Sequence, residues 1–515
     1  MTASTLPPLI QQMLEPDFYP HAVSESPIRL LQTHVSYVLL TGEFVYKLKK
    51  PVNFGFLDYS TLDKRQHFCQ EEIRLNQRTA AELYLDIVPI TADGDRFVLG
   101  GEGKPVEYAL KLKQFPQSAL LTAVFDRGEL TPALMVRLAQ EIASFHAKTA
   151  TNDYIRGFGE IPSVRQSIDE NYDQTVSYIG GPQTQAQFEQ TKAYTDEFFV
   201  AKADLFQQRI QQDKIRECHG DLHLRNIALW GDRLWLFDCI EFNEPFRFVD
   251  TMFDIAYIVM DLAARDRWDL NNVFLNAYFE ATGDWEGLEI LPLYVSRQSY
   301  VRAKVTSFLL GDPAIPADEK AKITETAAQY YTLANEITQT KPGQILVTAG
   351  LSGSGKSTLA KGLAPALNAI HLRSDAVRKH LAGIPLDQRG DDSLYTPEMS
   401  MQTYDRLQQL GITLAQAGYT VILDAKYDRQ ATRLPLIAAA KTAELPLTIL
   451  HCQVDLDTMR DRVQQRTGDI ADATVAILAK QTFEPLTAVE QAVVKTVDTT
   501  PPVAAVVGQA LATLT

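Results

Sequence analysis

A glycine-rich segment between an apolar run and a helical pattern carries the clearest chemical signal in the chain. Residues 350–357 read GLSGSGKS, with the spacing G-x-x-x-x-G-K-S, and they follow the apolar run at 345–349. Glycines let backbone N–H groups surround phosphate oxygens, and the start of the following helix adds partial positive charge. Lys356 is expected to reach the β- and γ-phosphates of a nucleoside triphosphate, and Ser357 to bind Mg²⁺. The predicted nucleotide-binding residues of this loop are Gly350, Ser352, Gly353, Ser354, Gly355, Lys356, Ser357 and Thr358.

A second cluster lies in the middle of the chain. The sequence HGDLHLRN begins at His219, and the apolar run LWLFDCIE follows it closely. The spacing H-x-D-x-x-x-x-N, followed by an Asp at the end of an apolar strand, is typical of a phosphotransfer catalytic loop and its metal-binding segment. Asp221 can accept the proton of an attacking hydroxyl, and Asn226 and Asp238 are predicted Mg²⁺ ligands. His219 is expected to fix the loop by hydrogen bonding.

HGDLHLRN together with FDCIEF resembles the aminoglycoside phosphotransferase-like branch of the kinase fold, in which Gly replaces the Arg of HRD. The resemblance covers about residues 25–335 and implies the same roles for the catalytic Asp and the metal ligands, with Glu241 as an auxiliary acid. The sequence departs from the kinase pattern because it has neither the glycine of DFG nor an APE-like segment. Asp250 and Asp254 are expected to be structural.

The first 113 residues carry strand patterns and one helical pattern. Strands are predicted at 28–33, 35–41 and 44–50, a helix at 60–85 with Ser60 or Thr61 as its N-cap, and further strands at 87–91, 96–99 and 106–113. The order β-β-β-α-β-β-β is that of a kinase-type N-terminal lobe. The region 119–338 that follows is predicted to be mostly helical. Arg297, Arg302 and Lys304 within it could face solvent or an acidic substrate, and solvent is the preferred interpretation.

A strand lysine that precedes a helix glutamate predicts an ion pair that contacts nucleotide phosphates. Lys47 and Glu72 are the preferred pair, and Lys49 and Glu71 are close alternatives. Solvated charges on a strand edge and a helix face are a competing interpretation for each of these residues. No G-x-G-x-x-G sequence lies between the first two predicted strands, so any phosphate cover there must be built differently.

The C-terminal region alternates strands and helices, which predicts a parallel sheet. Strands are expected at 345–349, 369–372, 420–423, 447–452 and near 493–497. Asp375, after the second strand, could take a proton from an acceptor hydroxyl, and Arg378 could hold an acidic group. Asp424, at the end of an apolar strand, is a candidate Mg²⁺ ligand. Arg462 and Arg466 could neutralise a transferring phosphate, although a solvated helix face explains them equally well.

GLSGSGKS, LRSDAVRK, VILDAKYDR and the arginine-rich stretch resemble small P-loop kinases of the gluconate-kinase, polynucleotide-kinase and zeta-toxin type. This resemblance covers about residues 344–490. The two halves in tandem resemble bacterial fusion proteins of a phosphotransferase with an ATPase.

Composition sets broad limits on the protein. The chain has 515 residues, more than a single hydrophobic core usually accommodates, so two or three domains are expected. The predicted domains are 1–338, with lobes at about 1–113 and 119–338, and 344–515, joined by a linker at 339–343 and able to fold independently. A net charge of −15 makes nucleic acid an unexpected partner. Scattered cysteines and the lack of a long apolar run or signal pattern predict a cytoplasmic protein without a membrane span.

The sequence therefore predicts an α+β protein-kinase-like bilobal domain followed by an α/β P-loop domain with a parallel sheet flanked by helices. The expected activity is transfer of phosphate from ATP, with Mg²⁺, to a hydroxyl of a small molecule at two sites. One alternative is a P-loop nucleotide sensor that regulates a kinase-like binding module. Another is a kinase of a nucleic-acid end or a nucleotide sugar.

Overall fold

The computed structural model describes residues 6–25, 27–339, 341–465, 470, 475–479 and 481–514. The chain forms two compact units. The first comprises Met1–Leu130, Ser144–Asp261 and Leu293–Asn335, and the second comprises Thr131–Ala143, Leu262–Pro292 and Glu336–Thr515. The second unit thus joins the region after the predicted linker to segments that precede it. The boundary at 339–343 remains a prediction about independent folding.

The first unit begins with helix α1 (Pro8–Gln12) and an antiparallel sheet. The strands are β1 (Arg29–Gln32), β2 (Ser36–Leu40), β3 (Phe44–Lys49), β4 (Tyr84–Asp93), β5 (Arg96–Leu99) and β6 (Pro105–Lys113), in the spatial order β1-β2-β3-β6-β4-β5. Helix α2 (Leu62–Ala80) connects β3 to β4. The predicted element order of a kinase-type N-terminal lobe is confirmed.

Helix α2 is positioned by its N-cap and by its buried face. Thr61 Oγ1 accepts a hydrogen bond of 3.3 Å from the backbone N–H of Lys64, which fixes the start of the helix. The helix ends at Ala80, before the predicted end at 85, because Tyr84 already pairs with β6 as the first residue of β4. Buried side chains recur along one face that packs against β4 and β6, and they are Arg65, Cys69, Glu72, Leu75, Asn76 and Ala80.

A mostly helical region follows, as the sequence predicts. It contains helices α3 (Leu121–Asp126), α4 (Pro132–Lys148), α5 (Asp153–Arg156), α6 (Ile161–Asp173), α7 (Gln185–Ala201) and α8 (Ala203–Gln211), then strands β7 (Ile215–Glu217), β8 (Ile227–Trp230) and β9 (Arg233–Leu236). After these come α9 (Glu244–Arg247), β10 (Phe248–Asp250), α10 (Thr251–Ala263), α11 (Trp268–Thr282), α12 (Leu291–Phe308) and α13 (Ala317–Glu336). The HGDLHLRN sequence lies between β7 and β8, and Asp238 follows β9.

The second unit contains a parallel sheet. Its strands are β11 (Gln344–Ala349), β12 (Ile370–Arg373), β13 (Thr420–Asp424), β14 (Leu447–Gln453) and β15 (Val494–Asp498), in the spatial order β12-β13-β11-β14-β15. The helices are α14 (Lys356–Leu367), α15 (Ser374–Ala382), α16 (Pro397–Gln416), α17 (Gln430–Thr442), α18 (Leu456–Gln465), α19 (Val475–Leu478), α20 (Ala488–Gln491) and α21 (Val503–Leu514). The alternation of strands and helices confirms the predicted α/β class.

The apolar core of the second unit lies between the sheet and helices α14 and α21. Leu346 and Ile422 of the sheet pack with Leu359 and Leu363 of α14 and Val506 of α21. Because parallel strands end at the same edge, this core fixes the start of α14 at the carboxyl edge of the sheet. Among the described residues, no helix combines the length and apolar character that crossing a membrane requires.

Helix α11 also belongs to the second unit, where it covers the sheet edge formed by β12. Asn272 and Asn276 both donate side-chain hydrogen bonds to the carbonyl oxygen of Ala369, at 2.9 and 3.0 Å. The backbone N–H of His371 donates to Asn276 Oδ1 at 2.7 Å. The Asn276 amide therefore satisfies one acceptor and one donor of an edge strand that would otherwise lack a neighbour there.

Candidate active sites

The P-loop turns sharply between β11 and α14 because its glycines adopt backbone conformations that other residues avoid. Gly350, Gly353 and Gly355 have φ values of +143°, +80° and +89°. A Cβ atom on Gly353 would lie 2.4 Å from the carbonyl oxygen of Met459. The close approach of α18 to the loop therefore requires glycine at 353, independently of any contact with a phosphate.

Lys356 is the first residue of α14, and its side chain folds back over the loop. Its Nζ donates a hydrogen bond of 2.8 Å to the carbonyl oxygen of Leu351. Gln481 also binds the loop: its Oε1 accepts from the backbone N–H of Ser352 at 2.9 Å, and its Nε2 donates to Ser352 Oγ at 3.1 Å. Ser354 Oγ is buried and has no hydrogen-bond partner among the described residues. Gln481 belongs to no motif, so no sequence pattern predicts its contact with the P-loop.

Asp424 lies at the end of β13, and its carboxylate is held from several sides. The Thr348 hydroxyl donates to Oδ1 at 3.2 Å, and His371 Nε2 lies 3.0 Å from Oδ2. The Ser357 hydroxyl also hydrogen-bonds to this carboxylate. Burial alone would raise the pKa of Asp424, but His371, Lys356 and Ser357 outweigh burial and hold that pKa well below its ordinary value.

Ser357 and Asp424 are oxygen donors in mutual contact, and oxygen donors are the ligands that Mg²⁺ prefers. This pair therefore fits a magnesium ion beside the P-loop. The contacts of Thr348 and His371 with Asp424 could not be predicted from the sequence. A Thr inside one strand and a His inside another do not indicate that both bind the same carboxylate.

Arg462, on α18, lies beside the P-loop. Its Nη2 donates to the carbonyl oxygen of Thr499 at 2.7 Å, and its Nη1 lies 3.5 Å from the carbonyl oxygen of Gly353. Thr499 Oγ1 in turn donates to the carbonyl oxygen of Ser354 at 2.7 Å. Arg466 lies outside the described residues. An open cavity of about 450 Å³ borders this group, and its lining includes Lys356, Ser357, Thr358, Arg462, Thr499 and Val503.

Asp375 and Arg378 lie in the first turns of α15, which starts at the carboxyl edge of the same sheet. Arg378 is 8% exposed, and its Nη1 donates to the carbonyl oxygen of Leu394 at 3.0 Å. Its guanidinium lies 5.1 Å from the ring centre of Tyr395, and its Nε has no hydrogen-bond partner among the described residues. The charges of Asp375 and Arg378 both act on the partly buried Tyr404. A buried guanidinium with an open donor can accept an anionic group.

In the first unit, Lys47 joins the helix glutamate to the strand-end aspartate. Lys47 Nζ lies 2.8 Å from Glu72 Oε1 and 2.6 Å from Asp238 Oδ1. The Asp238 side chain is 46% exposed, whereas Glu72 is fully buried. Burial alone would lower the pKa of Lys47, but the two carboxylates outweigh it and raise that pKa well above its ordinary value.

Lys49 binds the same glutamate as Lys47. Its Nζ lies 2.7 Å from Glu72 Oε2, and it also contacts Glu241 and the Tyr59 hydroxyl. Residues two apart on a strand point to the same face, so β3 presents both lysines to α2. Glu71 is partly exposed and instead pairs with the exposed Arg74 at 2.8 Å. The geometry therefore selects Glu72 over Glu71 as the buried partner and gives it both lysines.

The catalytic-loop residues converge around Asp221. Asn226 Nδ2 donates to the Asp221 carbonyl oxygen at 3.0 Å and to Oδ2 at 3.2 Å, and His223 Nε2 lies 3.2 Å from the same Oδ2. Burial alone would raise the pKa of Asp221, but His223 and the charges of Arg302 and His219 outweigh it and lower that pKa. The lowered pKa favours the carboxylate form of Asp221, which could accept a proton. Asn226 and Asp238 have oxygen atoms that could bind Mg²⁺.

Asp254 holds the backbone of the catalytic loop through hydrogen bonds. Its carboxylate accepts the N–H groups of His219 at 3.0 Å and Gly220 at 2.8 Å, and it binds His146 Nε2 at 3.0 Å. Asp250 does not share this task, because its carboxylate binds Arg209 Nε at 2.8 Å. His219 Nδ1 accepts the N–H of Asp221, consistent with the expected role of fixing the loop.

The turn between β1 and β2 consists of Thr33, His34 and Val35. It is closed by hydrogen bonds from the Ser36 N–H to Thr33 Oγ1 at 2.9 Å and from the Thr33 N–H to the Ser36 carbonyl oxygen at 3.0 Å. Such a short turn cannot fold over nucleotide phosphates as a glycine-rich loop does.

The fold and these sites define a protein that combines a kinase-like domain with a P-loop nucleotide-binding domain. A family model described as "AAA domain" matches residues 345–486. "Uncharacterized protein Rv2004c" of Mycobacterium tuberculosis is 29% identical over 466 residues, which cover 89% of this chain and 90% of that protein.

Solved structures resemble the two parts separately. A gluconokinase from Sinorhizobium meliloti is 24% identical, covers 34% of this chain and 93% of its own, and gives a TM-score of 0.26. A choline/ethanolamine kinase family protein from Mesorhizobium loti is 11% identical, covers 64% of this chain and 100% of its own, and gives a TM-score of 0.36.

Proposed function

We propose that the chain is an ATP- and Mg²⁺-dependent phosphotransferase with two nucleotide sites, each of which transfers the γ-phosphate to a hydroxyl of a small molecule. One feature shared by the two units supports the proposal: a lysine expected to bind phosphate acts on a carboxylate that could bind metal. In the first unit Lys47 lies 2.6 Å from Asp238. In the second, the positive charge of Lys356 acts on Asp424, which hydrogen-bonds to Ser357.

In the kinase-like unit, Asp221 accepts the proton of the acceptor hydroxyl as its oxygen attacks the γ-phosphorus. Asn226 turns its side chain back to Asp221 and, with Asp238, would hold Mg²⁺. Lys47, held by its ion pair with Glu72, would contact the nucleotide phosphates. A magnesium ion bound there would neutralise charge on the phosphates.

In the P-loop unit, the backbone of residues 350–357 and Lys356 bind the nucleotide phosphates, and Ser357 and Asp424 would hold Mg²⁺. Arg462 and Arg466 neutralise charge on the transferring phosphate. Asp375 takes the proton of the second acceptor, and Arg378 binds an anionic part of it. The position of α15 at the carboxyl edge of the sheet supports these assignments, because ligands of open α/β sheets bind at that edge.

The test is ATP consumption by the full chain with Mg²⁺ and a panel of sugars, nucleosides and aminoglycosides. Each acceptor is assayed with wild type, Lys356→Ala, Asp238→Asn and the double variant. Each single substitution should remove turnover with one group of acceptors and leave the other group unaffected. Matched controls are Lys361→Ala, an exposed lysine on α14, and Asp232→Asn, in the exposed turn between β8 and β9.

Acceptor-dependent turnover by the double variant at the wild-type rate would contradict the proposal, because no lysine–carboxylate set would then remain intact in either unit.

A further inference from the structure

Helix α12 carries basic side chains that have no acidic partner. In the described part of the chain, Arg297, Arg302 and Lys304 form no ion pair. Arg297 is only 8% exposed, which contradicts the expectation that it faces solvent. Its Nη1 donates to Gln298 Oε1 at 2.7 Å, and Lys304 Nζ donates to Gln174 Oε1 at 2.8 Å. The buried Arg297 thus has a neutral oxygen atom where a carboxylate would usually lie, and the partly exposed Lys304 also binds a neutral oxygen atom.

The buried guanidinium of Arg297 retains an open donor. Its plane lies 4.8 Å from the ring centre of Phe253, and its Nε has no hydrogen-bond partner among the described residues. A buried polar atom without a partner is unusual, because desolvation is then left uncompensated. An anion with oxygen atoms would satisfy both the charge and the open N–H group.

These cations lie near the proposed base of the kinase-like unit. Asp221 binds His223, whose ring centre lies 6.4 Å from that of Tyr257. Tyr257 hydrogen-bonds to Arg297, and the charges of Arg297 and Arg302 both act on Asp221. A ligand that places a hydroxyl at Asp221 therefore has basic side chains within reach of the rest of its structure.

The acidic group that acts on Arg297 and Lys304 from α6 is Glu170, which is exposed and accepts a hydrogen bond from Gln166. It does not offset the excess of positive charge. Burial, followed by the charge of Arg297, lowers the pKa of Lys304 to about 8. Within the described residues, neither Glu170 nor Asp221 forms an ion pair with the basic side chains of α12.

We propose that Arg297, Arg302 and Lys304 form the anion-binding part of the acceptor site in the kinase-like unit, and that the acceptor is a small hydroxyl compound bearing a phosphate or carboxylate group. This inference rests on the proposed function of that unit. The acceptor oxygen forms a bond to the γ-phosphorus, the bond from that phosphorus to the β–γ bridging oxygen breaks, and the hydroxyl proton passes to Asp221. ADP and the phosphorylated anion are the products. A polycationic aminoglycoside would be repelled by the same side chains.

The test uses calorimetric titration of the full chain carrying Lys356→Ala, with Mg²⁺ and a saturating non-hydrolysable ATP analogue. Nucleotide binding is measured first, on its own. The acceptor probes are glycerol 3-phosphate, glycerate and glycerol, which share hydroxyl groups but differ in charge, and the aminoglycoside kanamycin. Binding of glycerol 3-phosphate, of glycerate, or of both is expected, and comparing these two probes distinguishes a phosphate from a carboxylate acceptor.

Arg302→Gln and Lys304→Gln should each weaken binding of the preferred anionic probe by about tenfold or more, as expected for a lost charged hydrogen bond. Arg297→Gln should also weaken binding of that probe. If this buried variant does not fold, the variants at the partly exposed Arg302 and Lys304 still test the inference. Arg127→Gln, which removes an exposed guanidinium paired with Glu129, is the matched control and should leave binding unchanged.

Equal binding of glycerol and the anionic probes, preference for kanamycin, failure of every anionic probe, or full affinity in the Arg302 and Lys304 variants would overturn the inference. Loss of nucleotide binding at the kinase-like site would overturn the proposed function instead, and anion binding in the same titration would still support the subsite.

Discussion

The two candidate centres would bind negatively charged phosphate groups through different parts of the polypeptide. In the P-loop unit the main device is the backbone, since Gly350, Gly353 and Gly355 adopt positive φ values that let the loop curl before α14. In the kinase-like unit the device is a set of side chains, with Lys47 and Lys49 on β3 held by the buried Glu72.

Because of this difference, we expect different substitutions to disrupt the two centres. A backbone cradle tolerates changes in many side chains but not an added Cβ, which at Gly353 would approach a carbonyl oxygen to 2.4 Å. A buried network of ion pairs depends on each member, because removal of one partner leaves a charge uncompensated.

The largest effect on this comparison is expected from Glu72→Gln, which leaves two lysine side chains facing a neutral group. We expect the first unit to lose about 3–5 kcal/mol of stability, the range for breaking a buried ion pair. The measurement is hydrogen exchange of amides in β3 and α2, which reports on this unit separately from the second.

Glu71→Gln is the matched control for that substitution, since it alters the neighbouring carboxylate, which is partly exposed and pairs with the exposed Arg74. Its cost should be about 0–1 kcal/mol. Equal losses in the two variants would contradict the view that the side-chain network of the kinase-like centre depends on Glu72.

Lys356→Ala should reduce nucleotide turnover at the P-loop site by about 10²–10³-fold, equivalent to about 2.7–4 kcal/mol, by analogy with loss of one positioned donor. The backbone cradle remains, so part of the nucleotide affinity should survive. Steady-state turnover and nucleotide binding are measured in the full chain. Lys361→Ala, on the same helix, should behave as wild type, and a Lys356→Ala protein with unaltered turnover would exclude the proposed role.

A smaller effect is expected from Asn276→Leu, which removes the side-chain amide that bonds the edge strand β12. The N–H of His371 would lose its acceptor, at a cost of about 1–3 kcal/mol. Exchange of the amides in β12 should accelerate, whereas Asp269→Asn, on the exposed side of α11, should not change it.

The same contact bears on the domain boundary. We propose that 1–338 and 341–515 each retain a cooperative unfolding transition, with 341–515 less stable than the second unit in the full chain because it lacks α11. Thermal unfolding of the two fragments tests this, and loss of cooperativity in both would refute independent folding.

The most gradual effect expected is the pH dependence of the side-chain network, because it is spread over more than two pH units. Burial alone would raise the pKa of Glu72, but Lys47 and Lys49 outweigh it and lower that pKa to about 2 from an ordinary 4.5. The unfolded chain therefore binds the proton more readily, so the stability contributed by Glu72 is complete above about pH 4.5 and declines toward pH 2, by at most about 1.4 kcal/mol per pH unit. Glu72→Gln should show a flatter acid limb, and an unchanged slope would argue against this origin.

The features that the sequence predicts correctly are those whose residues lie close together in the chain. The P-loop residues are contiguous, so the sequence predicts its strand, loop and helix together. The periodicity of apolar residues predicts the order of elements in the N-terminal lobe. Lys47 and Lys49 could not be separated because residues two apart on a strand share a face. Glu71 and Glu72 differ only by the roughly 100° rotation between successive helix residues, which packing alone resolves.

Other features depend on contacts between distant segments. His371 and Thr348 reach Asp424 only because β12 and β11 flank β13 in the sheet. Asn276 binds Ala369 and His371 across 93 and 95 residues of sequence. No local pattern distinguishes such side chains from ordinary polar residues, and the burial of Arg297 was missed for the same reason.

The proposed function requires the two centres to perform separate phosphoryl transfers, with Asp221 and Asp375 as their respective bases. The most direct measurement is formation of each phosphorylated product by Asp221→Asn and Asp375→Asn full-length proteins, with nucleotide binding at both sites confirmed. Each substitution should suppress one transfer by about 10²–10⁴-fold and spare the other. If either substitution abolished both transfers while ATP still bound at both sites, the centres would form one coupled machine and the account of two separate transfers would be wrong.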